Sequence, residues 1–493
     1  MVTNHALLCC DLAADGGLLP QAACWVVDEA HGIESEARRA FTKKVDSDAL
    51  SRLSGRVAPS TGSRTIFARA ERGAAGEVEE SAPLFYGLSA KAQEAGNTFA
   101  RAAEEYCLHV KDLLYFDTEK SGRSYESIDL WLNSEVRHSS AFASLKSHAL
   151  VMVDAAEKLV RCCQDLVAFL EGIDAAAEPQ REIASTAIEL KELIEACDLI
   201  FNKQPESFVF QANLLRKKDR LGDALGAMPL EVGSMMRDAF YSRTKSVVYA
   251  SATLSVDGRF EAFTRAMGLN EDEGSFAREL QVDSSFDFDN NMIVYVASDM
   301  PEPNAPSYLA ALQKLLIGVH LAQGGSMLTL FTNRREMERC FDEVNPLMKK
   351  EDLRLVCQRK GVSPKALRDD FIADESLSLF ALKSFWQGFD APGSTLRGVV
   401  IPKLPFSRPT DPLSCERSSR DDRAWFRYTL PQAVIETKQA AGRLIRKSDD
   451  AGVVILADRR LVTKSYGKTV LNSLQSNPVH PTRSRWMSLP YSV

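Results

Sequence analysis

Between Met152 and Leu170 apolar residues recur at Met152, Leu159, Cys163, Leu166 and Leu170. After the interruption GIDAAAEPQ they recur at Ile183, Ala187, Leu190, Ile194 and Cys197. Steps of three and four, or their sum, put one apolar stripe on each of two helices. With a loop carrying Pro179 between them, the pair reads as an antiparallel helical hairpin, and its stripes as core packing. The whole stretch from about 35 to 220 has this helical character.

The flanking regions have a different rhythm. ACWVV is a brief apolar run that ends at Asp28, the pattern of a short buried strand of a parallel sheet. From about 225 onward, KSVVYASATLS, NNMIVYVASDMP, GGSMLTLFTNRREMERCF, SLSLFALKSFW, LRGVVIPKLPF and AGVVILADRRL each hold one such run. Helical patterns separate them. That alternation predicts an α/β fold with a parallel sheet covered by helices on both faces. No tandem repeat, low-complexity tract or long linker interrupts it.

Composition narrows the class without deciding it. A chain of 493 residues has room for two to four domains. Apolar residues make up 45% and charged residues 26%, ordinary values for a globular protein. No run of 18 apolar residues offers a membrane span, and the N-terminal MVTNHALLCCDLAADGG lacks the basic leader of a signal peptide. Net charge is −7, which argues against a uniformly basic surface but leaves room for a local basic groove. The ten cysteines form no C-x-x-C pair, and two pairs are adjacent in sequence, so they read as buried free thiols of a reducing cytosol.

The candidate chemistry lies at strand ends, where open parallel sheets bind ligands. Asp28-Glu29-Ala30-His31 follows the first strand directly. Two neighbouring carboxylates suit nucleotide hydrolysis: one holds Mg2+ against the phosphates, the other orients or deprotonates the attacking water. Ser251, Ala252 and Thr253 follow another strand, and their hydroxyls could couple a nucleotide site to the rest of the fold. Gly388 and Asp390 follow SLSLFAL; the glycine permits close backbone approach, and the carboxylate could bond a ribose or a facing arginine. QAAGRLIR sets Arg443 and Arg446 three apart, on one face if helical, where a guanidinium could stabilise a transferring phosphoryl group.

In order and spacing these segments resemble the DinG family of superfamily 2 DEAH-box DNA helicases and its relative XPD. The resemblance runs over nearly the whole chain. VTNHALL, SSFDF, LTLFTNRREME, FWQGFDAPGSTLRGVVIPKLPFSRPTDPL, QAAGRLIRKSDDAGVVILADRR and KSYGKTVLNSL carry it. It implies two RecA-like motor lobes, the first incomplete, with a mainly helical Arch-like insertion. Residues 1–34 would be a remnant of the first lobe, 35–220 the insertion, 221–272 the rest of the first lobe, and 273–493 the second lobe.

The resemblance also implies roles. Asp28 and Glu29 become the Mg2+ and water-activating pair, and His31 links the nucleotide site to motion. Ser251, Ala252 and Thr253 form the coupling motif. Gly388, Asp390 and Gly442 border the nucleotide, Gln439 contacts it, and Arg443 and Arg446 face the γ-phosphate, one as the arginine finger. Thr332, Asn333 and Trp386 would touch DNA. The implied activity is ATP-dependent, 5′ to 3′ translocation on single-stranded DNA and unwinding of forked or structured duplexes in DNA repair or replication. The implied protein is a monomer of the bacterial cytoplasm and nucleoid, with no membrane partner. Gln387, Phe389 and Ser285 depart from the usual family residues, which could alter rate.

One expected part is not in the sequence. Such ATPases cradle phosphate with G-x-x-x-x-G-K-[ST] on an earlier strand. Residues 1–27 lack it, and Gly467-Lys468-Thr469 has Val462 where the first glycine should stand. The chain is therefore expected to begin inside the first lobe, as a truncation, a broken gene or a wrongly assigned start would leave it. A 4Fe–4S cluster, where relatives carry one, would also lie upstream. The competing expectation is a catalytically inactive DNA- or partner-binding fragment.

Overall fold

The computed structural model describes residues 1–59, 64–76, 82–115, 127–215, 222–270, 277–385, 395–474 and 478–479. Its strands are β1 (Cys24–Val27), β2 (Lys43–Asp46), β3 (Ser127–Trp131), β4 (Phe208–Leu215), β5 (Ala224–Pro229), β6 (Ser246–Tyr249) and β7 (Met292–Val296). They continue as β8 (Met327–Leu330), β9 (Leu355–Cys357), β10 (Ser378–Ala381), β11 (Gly398–Ile401), β12 (Gly452–Leu456) and β13 (Pro478–Val479). The chain divides into two compact units. One comprises residues 1–22, 34–243 and 408–422; the other comprises 23–33, 244–407 and 423–493.

The first unit is built on the expected helical hairpin. Helices Ser140–Phe169 and Ala177–Asp198 bury Met152, Leu159, Cys163 and Leu166 from one stripe and Ile183, Ala187, Leu190 and Cys197 from the other. Pro179, expected in the connecting loop, lies in the first turn of the second helix instead. A missing N–H costs nothing there, because first-turn amides have no partner within the helix. The long helix Ala82–Tyr115 contributes Phe85, Phe99 and Tyr106 to the same core.

This unit also holds strands: β2, β3 and β4 lie within the stretch that reads as helical, and β5 lies just beyond it. β2, β5, β4 and β3 form a four-stranded antiparallel sheet in that order. Val45, Leu225, Ala227, Phe210 and Ala212 turn toward the helical core. Lys44, Gly226, Gln211, Asn213 and Asp129 line a groove on the sheet. The segment 408–422 joins this unit through its helix Pro412–Arg420, where Glu416 accepts from Trp131 Nε1 at 2.7 Å.

The second unit carries the parallel sheets. Seven strands run in the order β13-β7-β12-β11-β8-β10-β9, and every pairing is parallel. Alternate residues feed two cores. Val294, Leu328, Leu379, Val399 and Val454 pack with helices Pro364–Ala373 and Leu430–Ala441. Met327, Phe380, Val400 and Ile455 pack with helices Tyr308–Gln323 and Arg334–Lys350. Burial on both faces explains why these strands read as unbroken apolar runs. The expected α/β class with parallel sheets is borne out.

β1 pairs in parallel with β6 alone among the described residues. It was expected to be buried, and only Val27 is. Val26 and its register partner Val248 are 73% and 54% exposed, because among the described residues no further strand or helix covers this two-stranded sheet there. Asp28 leaves the carboxyl end of β1 as the sequence predicts.

Candidate nucleotide site

The ends of β1 and β6 are tied by continued pairing. Ala250 N–H donates to Val27 O at 2.9 Å, and Ala30 N–H donates to Ala250 O at 3.0 Å. Between these bonds the chain turns at Glu29, whose φ of +48° lies in the left-handed region that non-glycine residues seldom adopt. A short 3-10 turn over Ala30–Gly32 follows. This bend brings Glu29 and His31 to the same neighbour, Ser251.

His31 Nδ1 lies 3.0 Å from Ser251 Oγ and 3.3 Å from Glu29 Oε2. A carboxylate can only accept, so the pairing favours the tautomer with the proton on Nδ1. Ser251 Oγ in turn donates to Glu29 Oε2 at 3.3 Å and accepts from Thr253 N–H at 3.2 Å. Thr253 Oγ1 accepts from Gln439 Nε2 at 3.3 Å. Glu29, His31, Ser251, Thr253 and Gln439 therefore form one connected polar chain. The His31 side chain is 14% exposed and that of Glu29 69%, so the chain opens to solvent at its carboxylate end. Ala252 sits between the two hydroxyls and is exposed.

Asp28 and Glu29 are both exposed at the strand end, and Asp28 Oδ1 accepts from Glu29 N–H at 2.9 Å. Among the described residues no group of three or more His, Cys, Asp and Glu is arranged to hold a metal ion. Two carboxylates without a cage fit Mg2+, which commonly takes one or two carboxylates and completes its shell with phosphate oxygens and water.

The two arginines do not share a helix face. The helix Leu430–Ala441 ends one residue before Gly442, whose N–H closes the last turn on Lys438 O at 2.8 Å. Beyond it, Asp450 accepts from the N–H groups of Arg446 and Lys447, each at 2.7 Å. A side chain that satisfies backbone donors locally competes with helix continuation. The result is a turn in which Arg443 is buried and Arg446 exposed. Asn291 Nδ2 donates to Ser448 O at 3.1 Å and holds the same turn from the start of β7.

Thr332 and Asn333 follow β8 at the carboxyl edge of the seven-stranded sheet, and both are exposed. Asn333 caps the helix Arg334–Lys350, its Oδ1 accepting from Arg335 N–H at 2.9 Å. Trp386, Gly388 and Asp390 lie outside the described residues.

Sequence reading missed Asp450, Lys438 and Ser473. Lys438 carried a visible signal, since it continues the apolar stripe of Leu430 and Val434 at steps of four. Its ammonium donates to Ser255 O at 2.9 Å, and burial holds its pKa below the usual lysine value.

Comparison with known proteins bears on this geometry. The family described as helicase C-terminal domain matches residues 317–477. The 3'-5' exonuclease DinG of Bacillus subtilis is 26% identical over 97% of this chain and 52% of its own length. The ATP-dependent DNA helicase DinG of Photobacterium profundum is 27% identical over 96% of this chain and 67% of its own. The chain is similar to these DinG proteins along nearly its whole length. It spans about half the length of the first of these DinG proteins and two thirds of the second. A solved XPD helicase superposes with a TM-score of 0.48 at 14% identity, over 92% of this chain and 68% of that one.

Proposed function

We propose that the protein is an ATP-dependent DNA helicase of the DinG type, in which this chain supplies the hydrolysis and coupling residues. The observation that carries this reading is the polar chain that runs from Glu29, His31, Ser251 and Thr253, beyond the carboxyl ends of the parallel strands β1 and β6, to Gln439 on the helix Leu430–Ala441. Asp28 and Glu29 would hold Mg2+, which when bound neutralises phosphate charge. Glu29 accepts the proton of the attacking water, its carboxylate exposed and turned toward His31. His31 and Ser251 exchange a hydrogen bond whose strength depends on the charge of Glu29, so a change at the nucleotide reaches Thr253 and Gln439. Arg446 is exposed and free of helix geometry, which suits it to the γ-phosphate. Gly388, Asp390 and Gly442 border the nucleotide in this reading, and Arg443 faces the γ-phosphate together with Arg446. Thr332, Asn333 and Trp386 contact single-stranded DNA, which moves 5′ to 3′ as forked duplexes open in repair or replication. The protein works as a monomer at the bacterial nucleoid.

The test is hydrolysis of ATP by the purified whole protein with and without single-stranded DNA, followed by unwinding of forks with a single 5′ or 3′ tail. Absence of DNA-stimulated hydrolysis overturns the helicase reading, and unwinding from 3′ tails alone overturns the direction. A second reading, a catalytically inactive DNA- or partner-binding chain, is favoured by the lack of G-x-x-x-x-G-K-[ST] among these 493 residues. ATP hydrolysis by this polypeptide that is lost in Glu29→Gln overturns that one.

A further inference from the structure

The segment that follows the Ser251 and Thr253 hydroxyls is fastened at successive points to the seven-stranded unit. Gln439 Nε2 reaches Thr253 Oγ1 at 3.3 Å, and the adjacent Lys438 Nζ reaches Ser255 O at 2.9 Å. Val256 packs against the core that Val434 and Val470 help to form. Asp257 N–H donates to Ser473 Oγ at 2.8 Å, and that hydroxyl donates onward to Thr469 O at 2.7 Å. Ser473 follows the short helix Gly467–Asn472, so the Gly-Lys-Thr stretch that does not fit a phosphate loop here supports an anchor.

The end of the segment is itself stiff. Val256 and Arg259 exchange both backbone hydrogen bonds, at 2.9 and 3.0 Å. Asp257 and Gly258 between them both have positive φ, +50° and +75°. This is the form of a two-residue hairpin turn with Asp-Gly at its centre. A tight turn pinned by a buried hydroxyl cannot slide, so a shift at Ser251 is passed on or resisted by the bonds at Thr253 and Ser255. The Lys438 bond matters most. Its side chain is half-buried, so its charge has fewer waters to turn to and the Ser255 carbonyl is its hydrogen-bond partner on the protein side, a charged bond stronger than a neutral one.

We infer that Lys438 and Ser473 are positioning residues that hold residues 253–257 as a strap, through which the state of the Glu29–His31–Ser251 cluster is passed to the seven-stranded unit. This rests on the nucleotide-site reading above and adds to it the route by which hydrolysis becomes movement. Neither residue touches nucleotide; each acts through the backbone of the strap.

The test uses the whole protein with Lys438→Met and Ser473→Ala combined, beside Lys438→Arg alone. Amide hydrogen exchange at residues 253–257 is expected to quicken about tenfold or more in the double variant, the scale of one lost charged hydrogen bond. Base pairs unwound per ATP hydrolysed should fall about tenfold, while KM for ATP moves less than about threefold. Lys438→Arg, which keeps a charged donor, should retain most of the wild-type ratio. Should the double variant lose its native circular dichroism, Ser473→Ala alone deletes only a hydroxyl and carries the same measurements. Faster exchange with an unchanged unwinding-to-hydrolysis ratio overturns the strap and leaves the helicase reading standing. A wild-type protein that hydrolyses no ATP overturns the helicase reading, and the strap with it.

Discussion

Ser251 Oγ lies 3.0 Å from His31 Nδ1, although 220 residues separate them in sequence. The same hydroxyl serves Glu29 and the Thr253 N–H, so one small side chain joins three groups of the site. Ser251→Ala should therefore affect coupling more than binding. The Thr253 amide would lose its acceptor, a cost of about 1 kcal/mol, and His31 would lose the contact that orients its ring. We expect stimulation of ATP hydrolysis by single-stranded DNA to drop about tenfold, with nucleotide affinity little altered. Steady-state hydrolysis with and without DNA measures both.

Glu29→Gln separates positioning from proton transfer. The amide keeps the size of the carboxylate and an oxygen for Ser251, but it no longer accepts a proton from water. A general base contributes roughly a hundredfold to ten-thousandfold, so turnover should fall by about that factor while ATP still binds. Single-turnover hydrolysis beside fluorescent-nucleotide titration separates the two. Weakened binding with normal turnover would assign the carboxylate to the metal alone.

Arg443 and Arg446 should fail differently. Arg446 is exposed, and Arg446→Ala should cut kcat about a thousandfold or more at nearly constant KM, as loss of an arginine finger does. Arg443 is only 8% exposed, so Arg443→Ala should also lower the denaturation midpoint. Asp450→Ala frees the two N–H groups that shape the turn and should reduce kcat less than Arg446→Ala does. Equal stability losses for both arginine variants would show that burial does not distinguish them.

The contrast between the arginines marks where sequence reading reached its limit. The apolar stripes through Leu159 and Leu190 are local patterns, and so are the runs that became β7, β8 and β10–β12; each is read from neighbours three or four residues away or adjacent. β2 is only four residues long, and Val45 finds its partner Leu225 far along the chain, so periodicity had nothing to register. The site was legible as residue types at strand ends: Asp28, Glu29, Ser251 and Thr253 stand where the pattern puts them. What Asp450 and Lys438 do depends on which backbone groups the folded chain brings within reach, and no local pattern carries that.

A buried ionic cluster in the first unit gives a stability prediction. Arg417 is 10% exposed and lies 3.2 Å from Glu231 Oε1, 3.6 Å from Glu34 Oε1 and 3.2 Å from Leu230 O. Burial alone would push the Glu34 carboxyl up, but Arg38 and Arg417 together hold it below its usual value. Arg417→Met leaves two carboxylates short of a partner. Because both keep some contact with water, the expected loss is about 2 kcal/mol, below the cost at a fully buried pair. The loss should shrink as pH falls and the Glu34 carboxyl, held below its usual value by the arginines, takes up its proton. Urea denaturation of both proteins at pH 7 and pH 4.5 reads the two effects.

His320 sets the acid side of the second unit's stability. Its ring is 1% exposed, with Nδ1 3.1 Å from Ser378 Oγ and Nε2 3.3 Å from Thr329 Oγ1. Both hydroxyls can bond a neutral imidazole, and neither supplies a negative charge for an imidazolium. Burial accordingly pushes its pKa down from 6.5 to about 4. Between those values the unfolded chain binds a proton that the native state refuses. Folding is thus undisturbed by this group above pH 6.5 and is penalised progressively below it. The slope approaches about 1.4 kcal/mol per pH unit and ends near pH 4, where the native ring also protonates. His320→Gln keeps hydrogen-bonding capacity for one or both hydroxyls and removes the titration. The wild-type denaturation midpoint should fall more steeply between pH 6.5 and pH 4.5 than that of the variant. Parallel curves would mean that His320 takes up its proton without cost in the folded state, against the enclosure seen around it.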